Sequence, residues 1–265
     1  MKKFAVLGAA IIALFSLAHP APASAFNPDD ATKSHIEAAE VFLAEAGASK
    51  HDTRQLINKI ERNEPIGSAA GLPIVAKWTQ RDGDFLVTTE TYADGSIEVS
   101  SLEQPAAPDG LTDAEFEAGR PAQTAKETTA AQHNERGGLT VPGGRNEIHG
   151  SIKGCKVKAG SGYRSYRACT VLRQSATANI SFTAAYTLVQ KGNDYISGVS
   201  TPIHRCYVAS CTDVKTKILR KKESRSGKAV ARGSMNVTAP GGWASKSYWV
   251  ELRVGGNKAT VVNGG

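Results

Sequence analysis

Four cysteines are the residues of this chain whose type and spacing bear most directly on chemistry. They are Cys155, Cys169, Cys206 and Cys211, all in the second half of the sequence. Thirteen residues separate the first two and four separate the last two, and no pair of histidines accompanies them. This spacing does not match a zinc site, and a catalytic thiol would normally be a single cysteine without a partner. An even number of cysteines in an exported chain favours two disulfides.

The pairing of these cysteines has three possible forms, and local geometry favours one of them. Around the glycine turn at residues 160–162, Cys155 and Cys169 come nearly opposite each other in a hairpin if one bulge residue is allowed. Cys206 and Cys211 then close a loop of four residues. We therefore predict a β-hairpin that a disulfide closes, and a second disulfide that closes a short loop.

Basic residues form the second group with chemical potential. Residues 215–232 contain eight lysines and arginines against the single Glu223. Eight neighbouring positive charges attract polyanions in a salt-dependent way, although lysines are also common on edge strands that avoid pairing. Together with aromatic residues that the strand pattern leaves accessible, they predict a binding surface made of Lys217, Arg220, Lys221, Lys222, Arg225, Lys228, Arg232, Trp249, Trp243 and Tyr163.

Catalytic motifs are missing from the sequence. It has no G-x-S-x-G elbow, no H-E-x-x-H and no glycine-rich phosphate loop. Ser49, His51 and Asp52 are close together, but a helix start explains them better than a catalytic set. The five acidic residues of the second half lie on separate strands and turns, whereas a glycosidase needs two facing carboxyls. We predict no catalytic residue, no metal and no cofactor, and favour a protein that is not an enzyme.

The N-terminus has the layout of a secretory signal peptide. Lys2 and Lys3 precede an apolar run, and residues 23–25 form an A-x-A cleavage site. The apolar run is short for a membrane span. We expect residues 1–25 to be removed, which predicts a secreted, extracellular protein that could associate with the cell wall.

Charge divides the rest of the chain into two unlike parts. Residues 26–144 carry 10 basic and 20 acidic residues, whereas residues 145–265 carry 20 basic and 5 acidic residues. The net charge of +7 hides this division. The asymmetry indicates separate roles for the two parts. An acidic part tethered to a basic one is also expected to contact it through opposite charges.

The acidic part predicts a small α+β domain over residues 26–103. Helical spacing of apolar residues predicts two helices, at 33–46 and 51–62, with Asp52 or Thr53 as the N-cap of the second. Three β-prone runs joined by Asp-Gly turns then predict a three-stranded meander, at 74–80, 84–92 and 96–103.

Residues 104–146 are rich in Ala, Pro, Gly, Thr and charge, and they predict a largely disordered linker. Within it, Thr112 and Glu115 have the spacing of a capping box for one or two helical turns. Residues 147–265 contain evenly spaced short β runs, which predict an all-β antiparallel sandwich or barrel with two disulfides. Alternation puts even-numbered residues of 180–188 and 248–254 inward, and Trp249 outward.

The function that these observations favour is binding. We expect an exported protein whose basic β domain contacts an anionic polymer of the cell envelope or the extracellular space: teichoic acid, an acidic polysaccharide or lipid headgroups. One alternative is a secreted hydrolase with an unrecognised site, since a triad can assemble from distant residues. Another is an adhesion or assembly subunit, which would expose a long edge strand or a large apolar patch.

Overall fold

The computed structural model describes residues 28–118, 154–207, 209–238 and 245–265. The predicted signal peptide, most of the predicted linker and Trp243 lie outside these ranges. The described helices are α1 (Pro28–Glu45), α2 (Lys50–Glu61) and α3 (Asp113–Glu117). The described strands are β1 (Ile74–Asp82), β2 (Phe85–Tyr92), β3 (Ile97–Glu103), β4 (Lys156–Gly160), β5 (Tyr163–Ser175), β6 (Ala178–Val189), β7 (Tyr195–Val199), β8 (Ile203–Cys206), β9 (Ser210–Arg220), β10 (Ala229–Thr238), β11 (Ser245–Val254) and β12 (Ala259–Gly264).

The first two helices are confirmed, but the predicted N-cap of α2 is wrong. The cap is Ser49, whose hydroxyl accepts a hydrogen bond from the backbone N–H of Asp52 at 3.1 Å. The helix starts earlier than predicted, so that Asp52 and Thr53 lie in its first turn. The apolar faces of α1 and α2 pack together with two residues outside the helices, one after α2 and one after β5. The members of this small cluster are Ala39, Leu43, Leu56, Ile57, Ile60, Ile66 and Ala176.

The predicted hairpin with its disulfide is confirmed. Strands β4 and β5 pair from Gly160 opposite Tyr163 to Lys156 opposite Arg167, around a two-residue turn. Ala168 has a positive φ of 56° and sits where the register of β5 shifts, so it is the single bulge residue that the pairing required. This bulge aligns Cys169 with Cys155, and the two form a disulfide. A second disulfide joins Cys206 at the end of β8 to Cys211 in β9.

Two antiparallel sheets contain the described strands. One has eight strands, in the order β1-β2-β3-β5-β6-β7, with β4 also on β5 and β8 also on β6. The other has four, in the order β12-β11-β10-β9. The strands β5 and β6 are long enough for each to bind two neighbours along its outer edge, which makes this pair the centre of the larger sheet.

The main hydrophobic core takes residues from both sheets. The predicted inward residues of β6 and β11 are buried in it, among them Ile180, Phe182, Val250 and Leu252. Gly233 of β10 faces this core. A Cβ atom at Gly233 would lie 2.8 Å from Cδ1 of Phe182, so the close packing at this point requires glycine.

The acidic and basic parts of the chain meet within the larger sheet. Strand β3, from the acidic part, pairs with β5, from the basic part, over residues 98–102 and 171–175. Residues 104–118, which were predicted to begin a disordered linker, instead pack on the protein. The predicted capping box of Thr112 and Glu115 starts α3, and Phe116 is only 2 % exposed in the main core. The segment has too few apolar residues to predict this packing. Phe116 and the ion pairs of the buried Arg164 with Asp109 and Asp113 hold it on the protein instead.

The disulfides bear on the compartment of the protein. Two disulfides indicate an oxidising, extracellular environment. Among the helices of the described residues, none is both long and apolar enough to cross a membrane.

Candidate functional site

Cross-strand pairing brings the basic residues of the four-stranded sheet onto one side. Three rows of partners run across β9, β10, β11 and β12: Arg220–Val230–Arg253–Thr260, Lys217–Arg232–Glu251–Val262 and Lys215–Ser234–Trp249–Gly264. Residues directly opposite each other in a sheet point to the same side. The other side is turned to the core, where residues such as Ala231 and Leu252 are buried. We call the outer side the cationic face, made of Lys215, Lys217, Arg220, Arg232, Trp249 and Arg253.

The centre of the cationic face is a buried carboxylate between two arginines. Glu251 is 2 % exposed. Its Oε1 accepts hydrogen bonds from Nε and Nη2 of Arg232 at 2.8 and 2.5 Å. Its Oε2 accepts from Nε of Arg253 at 2.8 Å and lies 2.7 Å from the Nη2 of that residue. Such charge-assisted, two-point contacts fix geometry. The two guanidinium groups are therefore held in place while 37 % and 40 % of their side chains stay exposed.

Trp249 lies on the outer side, as the alternation predicted, but it is only half-exposed. The guanidinium carbon of Arg232 lies 4.5 Å from the centre of its ring, within the range of a cation–π contact. On the neighbouring strand, a Cβ atom at Gly264 would come within 2.5 Å of the indole. The tryptophan thus contacts Arg232 and packs against β12, while part of its ring stays exposed.

The lysines of the cationic face are not neutralised by the described part of the protein. Lys215 and Lys217 are exposed on β9, an edge strand, and neither forms an ion pair with a described residue. Asp213 is farther along the same strand and binds Asn236 at 2.8 Å. Across the face, five cations stand against the carboxylate of Glu251, and Asp213, whose partner Asn236 shares the outer side, adds a second carboxylate at the edge of the face. The sum stays positive, which attracts anions.

The loop between β9 and β10 carries the remaining predicted cations, Lys221, Lys222, Arg225 and Lys228. Its tip is the predicted turn, in which the backbone groups of Ser224 and Gly227 exchange two hydrogen bonds of 3.0 Å. These four side chains are exposed. They extend the positive surface beyond the end of the cationic face, and we call residues 221–228 the cationic loop.

The carboxylate of Glu223 attaches the cationic loop to neighbouring turns, and the carboxylate of Asp194 links those turns to each other. Glu223 accepts from the backbone N–H groups of Asp194 and Gly256, at 3.2 and 2.9 Å. Asp194 accepts from the N–H groups of Val189 and Asn257, at 2.7 and 2.8 Å. Burial is the main cause of a raised pKa at Asp194, and the charge of Glu223 adds to it. Because these bonds fix the base of the loop, its cations keep a defined position beside the face.

The predicted site residues are not all brought together. Lys217, Arg220, Arg232 and Trp249 share the cationic face, and the four cations of the loop adjoin it. Tyr163 is at the β4–β5 turn of the larger sheet, where its ring packs over Gly160, so it does not belong to this surface. Trp243 lies outside the described residues. Lys215, which the basic run contains, and Arg253, which alternation places outward with Trp249, also belong to the face, although the predicted surface did not include them.

Ion pairs between the acidic and basic parts use arginines outside the cationic face. Arg173 binds Glu98, with Nη2 at 2.6 Å from the carboxylate, and Arg164 binds Asp109 at 2.8 Å. Both arginines are buried on β5. The contact between the two parts thus leaves the lysines of β9 without acidic partners among the described residues.

A concave site away from the cationic face, with a volume of about 90 Å³, lies between α2, β3 and the start of β11. Here the hydroxyl of Ser68 donates to Glu98 and accepts from Nη2 of Arg173 at 3.1 Å. Arg173 and Ser68 together bind both oxygens of Glu98, and these bonds hold Ser68 in the wall of the site. Ser49 and Asp52 are engaged in the helix cap, and His51 binds Gln55. The described residues contain no cluster of three or more His, Cys, Asp or Glu side chains with metal-binding geometry.

The function of the chain has to be argued from this geometry. Comparisons with protein-family models, with curated proteins and with solved structures gave no match.

Proposed function

We propose that this chain is an exported, non-enzymatic binding protein whose cationic face contacts an anionic polymer of the cell envelope or the extracellular space. The observation that carries the proposal is the convergence of Lys215, Lys217, Arg232 and Arg253 on one side of one sheet. Two of these cations are fixed by Glu251 and two are unpaired among the described residues. Fixed donors supply direction, and unpaired charges supply long-range attraction.

The sheet arrangement supports the same proposal. We infer that the two antiparallel sheets form a sandwich, because they share one core and because Phe182 packs directly against Gly233. A sandwich would give the four-stranded sheet a rigid backing. The cations would then be presented as a flat grid, with neighbouring strands about 4.8 Å apart and alternate residues about 6.7 Å apart along each strand. Such spacing suits a polymer with closely spaced negative charges.

A pair of substitutions tests the proposal. We expect Lys215→Gln/Lys217→Gln to lower the affinity of the chain for soluble teichoic acid roughly thirtyfold at low salt, since each cation at an anionic surface contributes about 1 kcal/mol. Titration calorimetry on residues 26–265 would measure it at two salt concentrations. The difference between the proteins should shrink at the higher one, because salt screens exposed charges.

The matched control is Lys156→Gln/Lys158→Gln. These lysines also lie two residues apart, exposed, on the strand β4, so the substitution changes the net charge equally at a different surface. The control should bind teichoic acid nearly as tightly as the unmodified protein. Equal losses in both variants would mean that only net charge matters, and no binding to teichoic acid or to acidic polysaccharide at low salt would reject the proposal.

A second candidate function, assembly through a strand edge, is favoured by β1. This strand pairs with β2, and its residues 74–79 are exposed on both faces, with Val75 63 % exposed. Its two basic residues form ion pairs within the chain, Lys77 with Glu90 and Arg81 with Asp113. The edge therefore lacks the free charges that usually prevent edge-to-edge pairing.

Sedimentation equilibrium would test this candidate. Assembly through β1 predicts an average mass that rises with protein concentration, and Val75→Lys should return it to the monomer mass. As a control, Val41→Lys changes another exposed valine, on α1, and should leave assembly unchanged. A monomer at every concentration would exclude assembly of the chain with itself.

A further inference from the structure

One end of the cationic face is concave. Six residues line an open cleft of about 380 Å³, where the cationic loop meets β9, β10 and β11; they are Leu219, Arg220, Lys228, Val230, Glu251 and Arg253. Arg220, Val230 and Arg253 stand in one row across three strands. Val230 therefore forms the floor, and the two arginines stand on either side of it.

Several hydrogen-bond donors around the cleft are uncommitted. Arg253 uses Nε and Nη2 for Glu251, which leaves Nη1 with no partner among the described residues. Arg220 uses Nη1 for the carbonyl oxygen of Lys228 at 3.1 Å, which leaves its Nε and Nη2. The ammonium of Lys228 has no ion-pair partner within the described part of the chain and is exposed. Donors from three residues thus surround one space.

The charge of the cleft is matched by few anions. Three cations and the carboxylate of Glu251 leave a net charge of +2. A carboxylate or a phosphodiester carries a single negative charge, whereas a phosphomonoester carries about −1.5 to −2 at neutral pH and has three oxygens that accept strong hydrogen bonds. Arginine forks suit phosphate oxygens in particular.

Apolar surface adjoins the charged groups. Leu219 is 49 % exposed at the rim, and Val230 is half-buried beneath it. Exposed leucine beside three cations is a poor neighbour for a small hydrated ion, but it suits the organic body of an ester. We propose that this cleft binds a phosphomonoester group attached to an apolar or ring-shaped body, such as the phosphorylated end of an envelope polymer or a lipid phosphate. This inference rests on the proposed function, since it names the group that the cationic face recognises most strongly.

Nuclear magnetic resonance titration of residues 26–265 at fixed ionic strength would test the inference. The probes are hexyl phosphate, hexanoate, which has a similar apolar body and a carboxylate, and inorganic phosphate. Hexyl phosphate is expected to bind about tenfold more tightly than either, because only it offers both the doubly charged group and the apolar body. Backbone amides of Arg220, Val230 and Arg253 should shift. The affinity should fall as the pH is lowered through about 6, where the phosphate takes up a proton.

Substitutions separate the cleft from the rest of the cationic face. Arg220→Gln and Lys228→Gln should each lower the affinity for hexyl phosphate about tenfold. Lys215→Gln/Lys217→Gln lies outside the cleft and should weaken hexyl phosphate binding far less than it weakens teichoic acid binding, and the control Lys156→Gln/Lys158→Gln should leave both nearly unchanged. This pattern supports both proposals. If Lys215→Gln/Lys217→Gln loses teichoic acid binding but the unmodified protein shows no preference for hexyl phosphate over hexanoate, the proposal about the cleft is wrong and the proposed function stands.

Vesicle binding would show whether the phosphate belongs to a lipid or to a soluble or polymer-borne ester. Binding to phosphatidylcholine vesicles only when they contain phosphatidic acid would support the inference and indicate a lipid phosphate. Binding of hexyl phosphate without vesicle binding would support it and indicate a soluble or polymer-borne ester. If hexyl phosphate binds equally well to the Arg220→Gln and Lys228→Gln variants, the site is elsewhere and the inference is wrong.

Discussion

Replacing Arg173 with methionine is expected to destabilise the protein by about 3–5 kcal/mol, the usual cost of leaving one charge of a buried ion pair without its partner. Arg173 is fully buried. Its Nε and Nη2 donate to Oε2 of Glu98 at 3.0 and 2.6 Å. The variant would leave the carboxylate of Glu98, which is also buried, without this compensation.

The same guanidinium also connects the two sheets. From β5 in the larger sheet, Nη1 of Arg173 donates to the backbone carbonyl oxygens of Trp249 and Gly264 in the smaller one. Its carbon lies 3.7 Å from the ring centre of Tyr248. Methionine could fill much of the volume, but it would remove the Nη1 donor from both of these buried carbonyl groups. An unsatisfied buried polar group costs about 1–3 kcal/mol, so the effect belongs at the upper end of the range.

Urea unfolding of the oxidised protein measures the change. Arg232→Met is the matched control, because Arg232 also pairs with a buried glutamate but is partly exposed, and Glu251 keeps Arg253. We expect the control to cost about 1 kcal/mol. The double variant Glu98→Gln/Arg173→Met should cost clearly less than the sum of its two single variants, because each single variant already breaks the pair. A loss below 1 kcal/mol for Arg173→Met would contradict this account.

The parts of the fold that follow from local sequence were predictable. The hairpin that holds Cys155 and Cys169 depends on a glycine turn and on residues fewer than fifteen positions apart. Alternation in β6 and β11 likewise identified the buried side chains, because a strand with one covered face shows a period of two. Each of these signals is contained in one short stretch of chain.

The junction between the two halves could not be predicted in this way. Strand β3 pairs with β5 across 69 to 77 positions, and nothing in either strand specifies a distant partner. Arg173 entered the prediction only as one of the 20 basic residues of the second half, and arginine is seldom buried unless it is paired. Its burial depends on Glu98 and on backbone carbonyls that only the folded sheets bring near.

The candidate site was predicted in composition but not in geometry. The density of cations in residues 215–232 indicated a positive surface. The sequence did not predict the register that sets Arg232 opposite Glu251. A shift of β10 by one residue would turn Arg232 to the core, and no local signal in either strand fixes the register. The buried carboxylate, which converts two mobile arginines into fixed donors, therefore appeared only in the structure.

Removal of Arg164 is expected to have the second large effect, and to confine it to residues 104–118. Nε and Nη2 of Arg164 donate to the two oxygens of Asp109 at 2.8 Å each, and Nη1 donates to Asp113 at 2.9 Å. The guanidinium also covers the ring of Phe116 at 4.3 Å. Few apolar side chains hold this segment, so we expect Arg164→Met to lower the free energy of its local opening by about 3–5 kcal/mol.

The pH dependence of this opening follows from Asp109. Burial, the largest influence, would raise the pKa of Asp109, but the hydrogen bonds and charge of Arg164 and the N–H of Leu111 together lower it. A carboxyl whose folded pKa lies below its unfolded value stabilises the folded form above about pH 4, and that contribution is lost as the pH falls through the folded pKa. The native segment should therefore open more readily in acid. Arg164→Met should lack this stabilisation above about pH 4, because burial, the largest influence on Asp109, then acts without Arg164.

Hydrogen exchange of peptides from residues 104–118, followed by mass spectrometry between pH 3 and pH 7, would measure both effects after correction for the intrinsic exchange rate. Arg81→Met is the control, because Arg81 contacts the same segment through the carbonyl oxygen of Gln104 and through Asp113 while its side chain stays exposed. We expect that variant to change protection by less than about 1 kcal/mol. Protection in Arg164→Met equal to that of the unmodified protein would mean that Phe116 alone holds the segment. A loss spread evenly over β5 and β6 would show instead that residues 104–118 open only together with the whole sheet.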